Sequence, residues 1–338
     1  MANLSLRNPQ YKSIDVSSAS VLSTICYLTI GGVLRYTIVK NKGIKSNTDF
    51  EISELCRDYL QPYYSGNNTV QRIVIQTVLE NRSGLNGTGS VVGSVELFPD
   101  RGYESYGTYI DGTNPVNPVS RSLTNGTWLL APDSNSYSDN SFEIFVPIGE
   151  NGFVAGMDSS GDELVASYTG SDTVVTSGSI TDDVKITRIN CSKYGNGRQI
   201  VFINKYGAQQ DLWFSLKEVQ NLSRKNESYQ SNTLRYDDPT PYYSLSDAPV
   251  KTFNTNAKKT YSLSSGYYPE YAVEYFEQLL LSEYVWMKVF RPENPASELT
   301  IPVKVKSSSI KIKTSLNDRL IDYTIEFEDA FDYINNIR

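Results

Sequence analysis

Carboxylates are the side chains in this chain most able to do acid–base chemistry. Glu270, Glu274 and Glu277 lie close together in PEYAVEYFEQLLLSEYVWM, and two carboxylates flanking a sugar can protonate a glycosidic oxygen and activate water. Glycosidase carboxylates, however, face each other across the substrate, generally from different elements. Glu270 and Glu274 are four residues apart, on one side of a helix, so a water-facing stripe is the expectation. Asp158-Ser-Ser-Gly161-Asp162-Glu163 gathers acidic oxygens around a glycine but lacks the ligand spacing of a calcium loop, and reads as a solvated turn. Asp237-Asp238 before Pro239 reads the same way. The chain has no histidine, which excludes Ser-His-Asp and Cys-His nucleophile systems and every His-containing zinc site. Cys26, Cys56 and Cys191 are too far apart for a metal knuckle or a disulfide framework, and are expected as buried free thiols in a reducing compartment. No phosphate-binding glycine loop or nucleophile elbow is present. No enzyme, cofactor or metal is expected.

The elements that would carry these residues are mostly strands. VLSTICYLTI and VLRYTIVK, joined by Gly31-Gly32, form a hairpin, because the Gly pair supplies the positive φ angles of a two-residue turn. In TDFEISELCRDYLQP, Thr48 and Glu51 have capping-box spacing and Ile52, Leu55, Cys56 and Tyr59 share a helical face. Strand alternation continues through TVQRIVIQTVLE, GSVVGSVELF, FEIFVPI, GFVAGM, ELVASYT, DTVVTS and DVKITRIN. VFINKYGAQQDLWF reads as a hairpin turning at Gly207, with Trp213 and Phe214 on opposite faces of the returning strand. A polar span, SRKNESYQSN and DDPTPYYSLSD, separates it from strands VKTFNT and KKTYSLSSG. An amphipathic helix near 269–284 starts at Pro269, with Val273, Phe276 and Leu280 inward and Glu270, Glu274 and Gln278 as its polar stripe. TIPVKVKSSSIKIKT and NDRLIDYTIEFEDAF close the chain as strands. The lysines of VKVKSSSIKIK read as a guard against edge-to-edge pairing.

The expected fold is therefore mainly β: tandem β-sandwich-like domains, each with one short α-helix. Residues 1–180 form the N-terminal domain, with a Tyr/Asn/Ser-rich loop insertion near 100–140, and 181–338 the C-terminal one. At 338 residues and a formal charge of −7, a general nucleic-acid binder is not expected. Residues 21–34 are too short and too polar to span a bilayer, and MANLSLRNPQYKS lacks the apolar stretch of a secretory signal. Tyr103, Tyr106 and Tyr109, with Trp128 beyond, are the interface candidates. Tyrosine offers rigid contact area with a polar tip for a protein surface or a sugar ring, while strand packing would use the same spacing.

LTIGGVLRYTIVK followed by FEISELCRDYL, then IVFINKYGAQQDLWF, then KTFNTNAKKTYSLSSGYYPEYAVEYFEQLLLSEYVWM resembles virion structural proteins of tailed bacteriophages of Bacteroidetes, crAss-like phages among them. The likeness leaves out about 100–180. It implies a structural component of the head exterior, collar or tail, assembled in the host cytoplasm. Its partners would be other virion proteins and further copies of itself, as a homo-oligomer. A receptor- or glycan-binding module is the alternative, and a carboxylate-based glycan hydrolase the third reading.

Overall fold

The computed structural model describes residues 3–7, 9–64, 72–103, 128–129, 142–157, 163–173, 175, 184–190, 197–237, 240–242, 244, 246–291, 294–310 and 320–331. The fold is mainly β and sandwich-like, with one short α-helix in each half. The N-terminal sheet has five strands, in the order Asn3–Ser5, Val91–Tyr103, Arg72–Arg82, Ser23–Ile30 and Val33–Asn41. Its inner face packs on the two-stranded ladder of Tyr11–Asp15 with Asn47–Glu51. Leu28, Ile30, Ile75, Leu79, Phe50 and Ile52 fill the space between. Gly31 and Gly32, at φ +59° and +80°, make the expected tight turn.

The first helix is Ser53–Arg57, later than capping-box spacing predicts. Thr48 lies inside the Asn47–Glu51 strand, opposite Ile14. The alternation that buries Thr48 and Phe50 outweighs the local helix signal. Glu51 still serves the helix start, accepting the Ser53 N–H at 2.8 Å.

A seven-stranded sheet organises the second half. Its order is Gln209–Phe214, Arg198–Ile203, Val285–Arg291, Asn294–Val305, Leu320–Asp329, Val250–Pro269 and Glu218–Gln230. The first and last strands of that order are consecutive in the chain, joined by Ser215–Lys217. Through this bend Ser215 N–H donates to Ser265 C=O (3.3 Å), Leu216 N–H to Ser264 C=O (3.3 Å) and Ser264 N–H to Lys217 C=O (2.9 Å). The sheet thus closes on itself there. The helix Val273–Leu281 packs inside, where Phe276 stacks on Tyr323 at 4.2 Å and meets Phe214 and Tyr268 edge-on.

Three further expectations need correction. A boundary near 170–183 would cut a single core, because Val146, Val154, Ala166, Tyr168 and Val175 pack with residues from Val184 to Phe327. Across that point Phe142–Pro147 pairs in parallel with Val184–Ile189. The Asp172 carboxylate accepts the Thr169 N–H at 2.6 Å, so the polar punctuation there makes a turn within one core. On Asn294–Val305 lysine does not guard an edge, because that strand is interior to its sheet and Lys304 points out to solvent opposite Glu328; Lys311 and Lys313 lie outside the described residues. DTVVTS forms no strand among its described residues.

Candidate functional site

Two hairpins leave the Ser215–Lys217 bend in opposite directions. The first, Arg198–Ile203 with Gln209–Phe214, is covered on both faces. Ile200, Phe202, Leu212 and Phe214 join the large core, and Trp213 is buried from the opposite side of the strand. Val201 and Ile203 are buried too. On their side the Gln209 amide donates to the Tyr63 carbonyl at 2.6 Å, and Tyr64 contacts the Trp286 ring at 6.3 Å. A segment of the N-terminal half therefore lies over the second sheet.

The turn of this hairpin shows how closely it is held. Gly207 adopts φ +81°, a conformation that costs a side-chain-bearing residue about 1–2 kcal/mol. The buried Asn204 side chain accepts the N–H groups of Tyr206 (3.0 Å) and Ala208 (3.1 Å). Lys205 N–H donates to the Gln278 side chain at 3.1 Å, Lys205 Nζ pairs with Glu274, and the Gln278 amide donates to Glu274 at 3.0 Å. Burial would lower the Lys205 pKa, but its bonds to Glu274 and Tyr206 win and hold it above the ordinary lysine value. The expected water-facing stripe is thus a clamp between helix and turn: Gln278 is buried and Glu274 is engaged. Glu270 and Glu274 do not face each other across a cleft as a hydrolase pair would.

The second hairpin is exposed along the whole of one strand. Glu218–Gln230 is exposed at all 13 residues and pairs with Val250–Pro269, a strand of 20. Among the described residues the longer strand gains its second neighbour only from Thr260, opposite Asn221. Beyond that point Leu222–Gln230 and Val250–Lys259 form a two-stranded arm about 30 Å long. Such a ribbon is marginal in water unless something packs on it. Large apolar side chains stand out along it: Leu222 60%, Val250 59% and Phe253 64% exposed. Phe253 is the extra residue of a bulge opposite Glu227/Ser228, and its ring meets Tyr229 at 5.9 Å. Arg224, Lys225, Lys251, Lys258 and Lys259 give the arm five basic groups against one acidic group, Glu227.

No family model, curated protein or solved structure matches this chain. The site rests on its own geometry.

Of the interface candidates, Tyr103 and Trp128 fall in different sheets. Tyr103 ends the Val91–Tyr103 strand, opposite Ser5 and Arg72. Trp128 pairs through its backbone with Met157, in a three-stranded sheet with Gly152–Met157 and Glu163–Tyr168. The Tyr103 and Trp128 side chains, and all of Tyr106 and Tyr109, lie outside the described residues, as do Asp158–Asp162, Asp238 and Cys191. The arm is what sequence reading missed. SRKNESYQSN has no apolar alternation because neither of its faces meets the core, so it reads as loop.

Chemistry is muted elsewhere. Burial pushes the Cys26 thiol up to about 11 and Cys56 up to about 12, so both stay protonated at neutral pH. Among the described residues no cluster of three or more His, Cys, Asp or Glu could hold a metal ion. No helix among them is long and apolar enough to cross a membrane. A groove of about 580 Å³ at the arm's root is lined by Arg198, Lys217, Glu218, Leu263 and Asp322. Its acids already accept bonds: Glu218 from Arg198 at 2.7 and 3.0 Å, and Asp322 from Ser264 at 2.7 Å. Burial would raise the Glu218 carboxyl, but the bonds from Arg198 and Gln220 prevail and hold it below the usual carboxylate range.

Proposed function

We propose that the protein is a structural component of a tailed-phage virion that acts by protein–protein assembly, and that the exposed arm is its docking element. The observation that carries this reading is the two-stranded ribbon, whose outer strand is solvated at every residue and which holds Leu222, Val250 and Phe253 in water. A chain keeps such a feature at a cost unless a partner covers it. The resemblance of the arm's longer strand and of the helix after it to virion structural proteins supplies the setting. In this reading the partners are other virion proteins and further copies of the chain, and function is carried by surfaces without turnover.

The test is quantitative mass spectrometry of purified particles, with immunogold labelling by antibody to the arm tip, residues 231–249. The expected result is a fixed copy number, with label at one defined place on particles opened enough to expose the arm. Absence of the protein from particles would overturn the reading.

A further inference from the structure

We propose that the arm's partner is the same arm of a second copy, paired edge to edge about a two-fold axis at Asn226; this rests on the assembly reading above and names its partner. Among the described residues Glu218–Gln230 pairs on one side only, with Val250–Pro269. Its outer edge therefore presents a row of backbone N–H and C=O groups to solvent. The bulge that would spoil such an edge lies on the inner strand, at Phe253, so the outer edge stays regular.

Symmetry restricts how two copies can pair there. A two-fold axis perpendicular to the ribbon preserves the face each side chain occupies, so opposed residues differ by an even number and the axis passes through one residue. The part of the strand free of the larger sheet is Leu222–Gln230, and its midpoint is Asn226. Full overlap of two free spans thus puts the axis at Asn226. In that register Lys225 of each copy lies opposite Glu227 of the other, which makes two ion pairs. Arg224 then faces Ser228, Leu222 faces Gln230 and Ser223 faces Tyr229, so no like charges meet. One residue either way sets Lys225 or Glu227 against itself. Within Leu222–Gln230 no other two-fold register brings opposite charges together.

Charged residues on an edge strand commonly ward off a second chain. Arg224 and Lys225 alone would do that here. Glu227, two residues along on the face of Lys225, turns the same edge into a self-complementary one. The product is a four-stranded sheet, with the Tyr229 and Phe253 pairs of both copies on its flanks. Three or more strands reach the size that is stable in water.

The purified full chain is measured by sedimentation equilibrium, as wild type, Lys225→Glu, Glu227→Lys and the double exchange. The wild type is expected to associate as dimers or even multiples. Each single reversal is expected to weaken association about tenfold or more, since two attractive cross-strand pairs become repulsive ones. The double exchange rebuilds both pairs in reverse and is expected to restore association. Asn226→Cys places two thiols at the axis, about 5 Å apart between Cα atoms, and is expected to form an interchain disulfide on mild oxidation, while Ser223→Cys does not. All four positions are exposed, so near-UV circular dichroism should show unchanged folding. A wild type that stays monomeric at about 100 μM, single reversals without effect, or a double exchange that fails to restore association would each overturn the pairing. A protein that is monomeric when pure yet present in particles would overturn the pairing and leave the virion reading standing. One that pairs as described but is absent from particles would do the reverse.

Discussion

The hairpin Arg198–Phe214 and the hairpin that begins at Glu218 are separated by three residues and share one sheet, yet the first is covered on both faces while the second is exposed along all of Glu218–Gln230 and over most of Val250–Lys259. Local geometry does not separate them, because both are antiparallel ladders in regular register over most of their length. Their surroundings do. The first stands between the helix Val273–Leu281 and strands on one side and the Tyr63–Tyr64 segment on the other. The second runs past its last neighbour into solvent. Strand formation is therefore compatible with either extreme of burial, and the docking proposal rests on the missing cover of the second hairpin.

The comparison is broken most severely at Trp213. Among the described residues its buried indole N–H has no acceptor, so packing is what holds the ring. Trp213→Ala is expected to lose about 3–5 kcal/mol in urea unfolding. A mutant of unchanged stability but lost assembly would move Trp213 to an interface. Gln278→Ala, which leaves the Lys205 N–H and Glu274 without their shared partner, is expected to cost about 1–3 kcal/mol by the same measurement. Gly207→Ala, at φ +81°, should cost about 1–2 kcal/mol in the same unfolding measurement. On the arm the expectation reverses: Phe253→Ser should change stability by no more than about 0.5 kcal/mol, with its effect confined to association. The smallest effect concerns the thiols. With Cys26 near 11 and Cys56 near 12, neither should react with iodoacetamide at pH 8 until the chain is unfolded, as read by intact mass.

Legibility in the sequence followed burial. Strands with one covered face, such as Arg72–Arg82 and Leu320–Asp329, alternate and are readable, and the Gly31-Gly32 turn is specified by its glycines. The turn at Gly207 was readable too, and so was the helix after Pro269. Glu218–Gln230 was not, because a strand with no core face carries no period-2 signal. The clamp of Lys205, Glu274 and Gln278 was hidden for another reason: its members are about 70 residues apart, and only tertiary packing tells a polar residue held in an interior network from one in water. The interface candidates Tyr103 and Trp128 belong to separate sheets, a fact set by pairings that sequence spacing does not encode.

The unbroken Val250–Pro269 strand has a mechanical consequence. Its outer half is arm; Thr260–Leu263 is bonded on both sides, to Glu218–Gln230 and to Leu320–Asp329, and the rest of the strand continues along Leu320–Asp329. A pull along the arm is thus delivered straight into the closed sheet, where it loads the cross-strand bonds in shear, many at once. A pull across the arm peels them from the tip one at a time. The protein resists tension along one axis and yields along another.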